Sequence, residues 1–510
     1  MAFQSLLFPQ GQSEYAADDL QPPSCFVDLG LDQIVAEATA GRREYRLAPF
    51  FYAPLPDAET IRYRQAIAQD LEQPALWEPI QTFAQQMRQA RRYLHLVETL
   101  EYPHHKAGWF LEAARAYVEA VRTLAADLAH APLQASGWVG LRDYLQAYLA
   151  SPDFQALETD LQTTKAALAS VEYCVHIQGD SVRVRRCEDE LDYTAEVERT
   201  FAKFKQGAVK DYRMPIYQGT AMNHVEAQIL ACVAQLYPQE FAQLEAFQRR
   251  HADFLDAVLA RVEREIQFYV AYLTFIAPLK AAGLPFCYPQ ITAEKHVEAR
   301  DTFDLALAAK FVSASRQVVL NDFSLQGQER LLVVTGPNQG GKTTFARMFG
   351  QVHYLAALGL PVPGREARLF LFDRIFTHFE REEAVSNLRG KLEDDLLRVR
   401  EILSQATARS IVIMNEVFSS TTFHDARFLG RQLLAHLLAK DVIGVFVTFL
   451  DELAAFSEQT VSLVSTVDPQ HPEKRTYRIV RRPADGLAYA LAIARKHRLT
   501  YEQIKERLGS

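Results

Sequence analysis

The segment from Gly336 to Thr343 has the residue types and the spacing that bind a nucleotide phosphate. It matches the pattern G-x-x-x-x-G-K-[ST], the P-loop. The glycines let the backbone turn so that successive amides face phosphate oxygens, and the helix that follows adds its positive end. Lys342 is expected to reach the β- and γ-phosphates of ATP, and the Thr343 hydroxyl to bind Mg²⁺. The residues predicted to bind the nucleotide are Gly336, Pro337, Asn338, Gln339, Gly340, Gly341, Lys342, Thr343 and Thr344.

A P-loop ATPase also needs a second buried strand that ends in carboxylates, and the apolar run 411–414 with Asn415 and Glu416 is the candidate. Glu416 is placed to polarise the attacking water, so we predict that it is the catalytic residue. Asn415 stands where an aspartate usually supports the metal. Because its amide carries no charge, we predict that Thr343 and Asn415 hold Mg²⁺ weakly and that hydrolysis is slow. The alternative is a nucleotide that is bound without being hydrolysed.

The hydrophobic pattern predicts the elements that position these residues. A strand at 331–334 directly precedes the P-loop and a helical stretch follows from Thr344, which is the order that the motif requires. Beyond a loop rich in glycine and proline at 283–289, short apolar runs alternate with helical stretches. This alternation is typical of a mainly parallel sheet covered by helices. The apolar runs are 331–334, 369–372, 411–414 and 445–447.

The first half of the chain has helical periodicity, and a break is predicted near Tyr237-Pro238. The predicted helical segments are 58–101, 105–130, 139–170 and 222–280. Between them, β-branched and aromatic residues on both sides of Gly179-Asp180 predict a β-hairpin. A locally basic stretch begins there. Its candidate DNA contacts are Arg183, Arg185, Lys203, Lys205 and Lys210.

The composition limits the class of protein. A chain of 510 residues is expected to form about two to four domains. The formal net charge of -8 indicates that any nucleic-acid site is a local basic patch. Five scattered cysteines without a C-x-x-C pair predict reduced thiols rather than disulfides or a zinc site. We find no signal-peptide pattern and no apolar run long enough to span a bilayer, so a cytoplasmic protein without membrane contact is expected.

The sequence around the predicted nucleotide site resembles the MutS family. The P-loop opens with Thr335-Gly-Pro-Asn, which is more specific than the general motif. Further similar segments follow in the family's order at 372–377, 414–417, 420–425, 445–450 and 485–494. The resemblance implies an ATPase of the ABC type that uses ATP and Mg²⁺ and forms a homodimer. It also implies a signature loop that reaches the partner's nucleotide, here Gly390 and Lys391.

The same resemblance implies a multidomain fold in which a helical lever with a small β clamp precedes the α/β P-loop ATPase. The expected order is a first part of the lever at 1–170, a reduced clamp at 171–221, returning lever helices at 222–285 and the ATPase at 286–510. The chain then resembles a short form without the mismatch-binding and connector domains of MutS. Three catalytic positions depart from the family pattern: Asn415 replaces the aspartate, Phe449 replaces the histidine of the switch segment, and Gly390-Lys391-Leu392 replaces Ser-Thr-Phe.

Two functions therefore stay open. The first is a dimeric, ATP-dependent clamp on DNA, which binds mismatched DNA or a DNA structure in repair or recombination control through its phosphates and shape. The second is a nucleotide-gated scaffold for protein interactions that does not bind DNA, which the acidic charge balance and the altered catalytic positions favour.

Overall fold

The chain divides into two compact units in the computed structural model. We call them the helical unit and the sheet unit. The helical unit contains Met1–Phe3, Pro74–Leu133 and Trp138–Glu263. The sheet unit contains Gln4–Gln73, Gln134–Gly137 and Arg264–Ser510. The structure describes residues 3–9, 20–179, 181–187, 222–380, 390–471, 474–484 and 499–508.

Short helices near the N-terminus belong to the sheet unit, although we predicted residues 1–170 as one part of a helical lever. Helical periodicity shows that a helix has an apolar face, but not which core that face covers. Here the Tyr354 hydroxyl donates to the Phe51 carbonyl and the Gln351 side chain to the Leu29 carbonyl, so these helices pack against the second half of the chain. The helices are α1 (Cys25–Leu29), α2 (Leu31–Ala38), α3 (Ala48–Tyr52) and α4 (Ala58–Leu71).

A buried N-terminal segment in the sheet unit is held by a buried carboxyl group. Glu265 accepts hydrogen bonds from the Leu6 amide at 2.6 Å and from the Ser5 hydroxyl at 2.8 Å. The Tyr269 hydroxyl donates to the Leu6 carbonyl at 2.7 Å. Burial raises the pKa of Glu265 from 4.5 to about 8, because the charged form is poorly solvated there.

This pKa predicts that stability decreases as the pH rises. The folded protein keeps the Glu265 proton up to a pH of about 8, whereas the unfolded chain releases it near 4.5. The free energy of unfolding should therefore decrease between these values and level off above them, by on the order of a few kcal/mol. Glu265→Gln removes the charge, while its amide oxygen can still accept from the Leu6 amide and its NH2 group can donate to the Ser5 hydroxyl oxygen. The variant should be more stable than the wild type at pH 9. Denaturant titrations of both proteins test this, with the exposed Glu294→Gln as the control that should follow the wild type.

The helical unit is a set of packed helices whose ends follow local sequence signals. They are α5 (Pro74–Thr99), α6 (Pro103–His130), α7 (Ser136–Leu149), α8 (Pro152–Ala169), α9 (His224–Leu236), α10 (Pro238–Arg250) and α11 (Ala257–Ala281), the last of which continues into the sheet unit. Ser151 caps α8, since its hydroxyl accepts from the Phe154 amide, and Asn223 caps α9 in a capping box with Glu226. The predicted break at Tyr237-Pro238 is confirmed, because α10 starts at that proline.

The predicted hairpin around Gly179 is present in the helical unit. Its strands are β1 (Tyr173–Gln178) and β2 (Ser181–Arg186), which pair antiparallel with Gln178 opposite Ser181. The prediction that all cysteines are reduced thiols is wrong for one pair, because Cys174 and Cys187 form a disulfide with a Cα–Cα distance of 5.5 Å. The pairing of the two strands brings these cysteines together, and a search for short cysteine motifs does not detect such a contact.

The prediction of a mainly parallel sheet is confirmed. The main-sheet strands are β7 (Leu331–Thr335), β10 (Ile375–His378), β11 (Ile411–Asn415), β12 (Ile443–Val447), β13 (Thr460–Val467) and β14 (Arg475–Arg481). They lie in the order β10-β11-β12-β7-β13-β14, in which the first five strands are parallel and β14 is antiparallel. All residues of the strands β7, β11 and β12 are buried, as expected for central strands covered by helices on both faces.

Smaller strands and further helices complete the sheet unit. The run 369–372, predicted as a strand, begins within β9, which belongs to a four-stranded sheet of order β4-β9-β5-β6 rather than to the main sheet. The other strands are β3 (Phe286–Cys287), β4 (Gln290–Thr292), β5 (Val297–Thr302), β6 (Asn321–Leu325), β8 (Val362–Pro363) and β9 (Glu366–Phe370). The helices are α12 (Leu305–Ser313), α13 (Lys342–Ala357), α14 (Lys391–Gln405), α15 (Phe423–Ala439) and α16 (Tyr501–Leu508). No helix in the described ranges is long and apolar enough to cross a membrane.

Candidate nucleotide-binding site

The predicted P-loop connects the buried strand β7 to the helix α13. Gly336 has a φ of 112°, and a Cβ there would lie 2.9 Å from the Ser465 carbonyl oxygen. A Cβ on Gly340 would lie 2.2 Å from the Ser465 hydroxyl oxygen and 2.9 Å from the Pro337 carbonyl oxygen. Both positions therefore require glycine, because the neighbouring strand β13 packs directly against the loop. This packing fixes the curvature that lets backbone amides face a phosphate group.

Lys342 is the first residue of α13 and points back into the loop. Its side chain is buried, and its ammonium donates to the carbonyls of Gly336 at 3.1 Å and Pro337 at 3.2 Å. The ammonium lies 3.6 Å from the Glu416 carboxylate. Burial lowers the pKa of Lys342, and Glu416 opposes this shift. The loop thus holds one cation at its centre, with the positive end of α13 beside it.

Thr343 and Asn415, which we predicted to hold Mg²⁺, lie next to each other. The Thr343 hydroxyl donates to the Asn415 side-chain oxygen at 3.1 Å. Adjacent ligands of an octahedral Mg²⁺ at 2.0–2.1 Å from the ion lie about 3 Å apart, so these two oxygens fit the edge of such a site. No cluster of three His, Cys, Asp or Glu residues that could hold a metal occurs in the described parts of the chain. A magnesium ion here would therefore be held largely by substrate phosphates and water, as is usual for this ion.

Glu416 follows the end of β11 in an unusual backbone conformation. Its φ is 53°, and its amide donates to the Val447 carbonyl on the neighbouring strand β12 at 3.0 Å. This pairing turns the carboxylate towards Lys342, and the side chain keeps 29% of its surface exposed. A carboxylate so placed at the edge of a phosphate site could accept a proton from a water molecule.

A cleft of about 620 Å³ extends from the P-loop, and sequence reasoning missed several of its residues. The Arg316 guanidinium lies 4.5 Å from the centre of the Phe311 ring on one side of the cleft. Tyr477 lies beside Gly341, with 51% of its surface exposed. Apolar and aromatic walls next to a phosphate loop suit a flat heteroaromatic base. The missed residues carry no motif and come from separate segments: Phe311, Arg316, Val318, Val319, Arg475 and Tyr477.

Comparison with known proteins identifies the domain that contains this cleft. A family model described as MutS domain V matches residues 332–505. An Endonuclease MutS2 from Thermus thermophilus is 33% identical over 192 residues, and a DNA mismatch repair protein MutS from Lawsonia intracellularis is 32% identical over 184 residues. The domain around this cleft is a MutS domain V. Its P-loop, Asn415 and Glu416 all lie within the matched MutS domain.

The similarity to these MutS relatives is confined to part of each protein. It covers 37% of this chain and 25% of the Thermus protein, and 35% of this chain and 20% of the Lawsonia protein. The matched segments therefore span a quarter or less of each relative. They support the assignment of the domain around the cleft, and they carry no information on the helical unit.

The other predicted positions of the MutS domain lie at its surface. Phe449, at the switch position, keeps 43% of its surface exposed after β12. Gly390 precedes α14, and the Lys391 ammonium pairs with the Glu380 carboxylate. Neither Gly390 nor Lys391 lines the cleft of its own chain. A role at the partner's nucleotide stays a prediction for both residues.

The hairpin places two of the candidate DNA contacts on one face. Arg183 pairs with His176 and Arg185 with Cys174 in the register of β1 and β2, so both arginines point to the same side. Both are exposed, and Arg185 donates to His176 at 3.1 Å. The opposite face packs at its base against α9 through Val184. Lys203, Lys205 and Lys210 lie outside the described residues.

Proposed function

We propose that this protein is a dimeric, ATP-dependent clamp of the MutS family that binds DNA and hydrolyses ATP slowly. The observation that carries the proposal is the convergence of Lys342, Thr343, Asn415 and Glu416 at one end of a parallel sheet. Lys342 and the loop amides would bind the phosphates of ATP, and Thr343 with Asn415 would support Mg²⁺. Glu416 would orient the attacking water. Because Asn415 is neutral where an aspartate usually lies, the Mg²⁺ site has less negative charge. We therefore expect slow ATP turnover.

In this proposal the two halves of the chain have different tasks. Residues 286–510 would form the ABC-type P-loop ATPase, which pairs with a second copy when ATP is bound. Residues 1–170 and 222–285 would include the lever helices, and 171–221 the reduced clamp. Gly390 and Lys391 would face the nucleotide of the partner subunit. The protein would act in the cytoplasm, in repair or in recombination control.

The DNA contact is proposed at the exposed face of the hairpin. Arg183 and Arg185 are two residues apart on one strand, which places them about 6.7 Å from each other. Measured along the helix axis, this distance spans about two nucleotide steps of one DNA strand. Among the described residues of β1 and β2, the face that they share with His176 contains no acidic residue. A two-stranded ribbon fits the major groove, so its arginines can reach phosphates without reading bases.

A double substitution on the hairpin tests the DNA contact. Arg183→Ala with Arg185→Ala should weaken duplex binding and reduce the slope of log K against log salt by about 0.9 for each lost phosphate contact. The matched control is Arg249→Ala with Arg250→Ala, which removes two exposed charges from α10 in the same unit. Fluorescence polarisation with labelled duplex, branched and looped DNA, with and without ATP, measures both. Salt-independent binding of the wild type would contradict the proposal.

The second candidate function is a nucleotide-gated scaffold for protein partners. The exposed Phe449 favours it, because an aromatic side chain at the switch cannot hydrogen-bond to phosphate but can contact another protein. In that case none of the DNA substrates would bind at any salt concentration, while ATP would still bind. The same polarisation experiment therefore separates the two functions.

A further inference from the structure

Arg475 occupies a place beside the P-loop that no sequence motif marks. It is the first residue of β14 and pairs with Val467 on β13. The strand β13 runs parallel to β7, with Val464 opposite Thr335, the last residue before the loop. Since Val467 lies three residues further along β13, the start of β14 projects past the end of β7, on the side where the P-loop lies.

Contacts confirm that the side chain reaches the loop. The Arg475 Nε donates to the Asn338 carbonyl at 3.3 Å. The side-chain oxygen of the same Asn338 lies 3.4 Å from the Lys342 ammonium. Asn338 is therefore bound by both cations. Arg475 also lines the cleft together with the loop residues and Glu416.

The charges around the cleft indicate what binds there. Burial lowers the pKa of Lys342, and the positive charge of Arg475 lowers it further. The two cations are therefore close enough to interact electrostatically. Among the carboxylates that line the cleft, Asp304 is paired with Arg347, and Glu416 lies near Lys342. Two cations that face one cavity attract an anion that can contact both of them. A polyphosphate is such an anion.

We propose that Arg475 is a phosphate-binding residue that contacts the triphosphate of a nucleotide from the same chain, beside Lys342. The inference rests on the proposed nucleotide site. The neutral Asn415 would hold Mg²⁺ weakly, so the metal would neutralise less of the phosphate charge. A second cationic side chain beside Lys342 would neutralise the remainder. Guanidinium groups suit this task, since they hydrogen-bond to phosphate oxygens in a fixed planar geometry.

Titration of ATP onto the full chain, with Mg²⁺ and with EDTA, tests the proposal. Arg475→Ala should weaken ATP binding about tenfold or more, which is typical for the loss of a hydrogen bond to a charged group. The loss should be larger in EDTA, where no metal shares the phosphate charge. The matched control is Arg478→Ala, an exposed arginine on the same strand that does not line the cleft and should bind ATP as the wild type does.

A second variant separates phosphate binding from support of the loop. Arg475→Gln keeps a donor for the Asn338 carbonyl but removes the charge, so it should weaken ATP binding as Arg475→Ala does. The proposal would be overturned if both variants bound ATP within twofold of the wild type, with and without Mg²⁺. It would also be overturned if Arg475→Gln restored the ATP affinity that Arg475→Ala loses. If the wild type itself bound no ATP, the nucleotide site would be wrong, which is a different outcome from a failure at Arg475 alone.

Discussion

Lys342→Met should reduce ATP affinity by at least about a hundredfold, because two or more hydrogen bonds from an ammonium to phosphate are lost at about 1.5–3 kcal/mol each. Methionine retains an unbranched apolar stem of similar length, so the buried position stays filled. Binding of radiolabelled ATP to the purified variant measures the effect. The prediction is wrong if the variant binds ATP as tightly as the wild type.

A matched lysine controls for general effects of this change. Lys440 also donates to a backbone carbonyl, that of Ala406 at 3.1 Å, and lies in the same unit outside the cleft. Lys440→Met should leave ATP binding unchanged. Because the Lys342 ammonium is desolvated, its removal should not lower the melting temperature by more than a few degrees. Loss of binding with an intact melting transition would then come from the phosphate site.

Glu416→Gln is expected to have the second largest effect. Removal of a general base typically lowers turnover by about 10²- to 10⁴-fold. Glutamine has the same shape and removes a carboxylate 3.6 Å from the Lys342 ammonium, so ATP affinity should be retained. Single-turnover hydrolysis and equilibrium binding of ATP measure the two quantities separately. Equal turnover of the variant and the wild type would show that another group orients the water.

The neighbouring change Asn415→Asp should act in the opposite direction. It restores a carboxylate next to the Thr343 hydroxyl, at the pair of oxygens 3.1 Å apart that fits a magnesium site. The Mg²⁺ concentration required for half-maximal turnover should decrease, and turnover should increase several-fold. If the wild type binds ATP but neither it nor Asn415→Asp shows more turnover than Lys342→Met, the chain binds ATP without hydrolysing it.

Local sequence patterns were sufficient to predict the centre of this site. The P-loop motif specifies Lys342 and Thr343, and the apolar run before Asn415 places the second strand. In a parallel sheet the carboxyl ends of the strands meet at one edge, so these residues had to come together. The hairpin could also be predicted from local sequence, because Gly179-Asp180 separates two runs rich in β-branched residues.

Contacts between distant segments were not predictable in this way. Arg475 and Tyr477 reach the P-loop because β14 folds back on β13, and nothing in their own surroundings indicates that position. The order in which the strands lie in the sheet is likewise set by packing. The disulfide of Cys174 and Cys187 depends on the register of the hairpin. Gln4–Gln73 joins the sheet unit for the same reason, since amphipathic helices do not specify their partner surface.

The most direct test of the account is the sedimentation of the full chain with radiolabelled ATP and Mg²⁺. We predict that the nucleotide sediments with a species of about twice 57.8 kDa, and that the protein without nucleotide has a smaller mean mass. Lys342→Met should stay at the smaller mass. Protein that sediments without nucleotide, at the same mass with and without ATP, would contradict the central claim that the 336–343 loop binds ATP and that bound ATP pairs two chains.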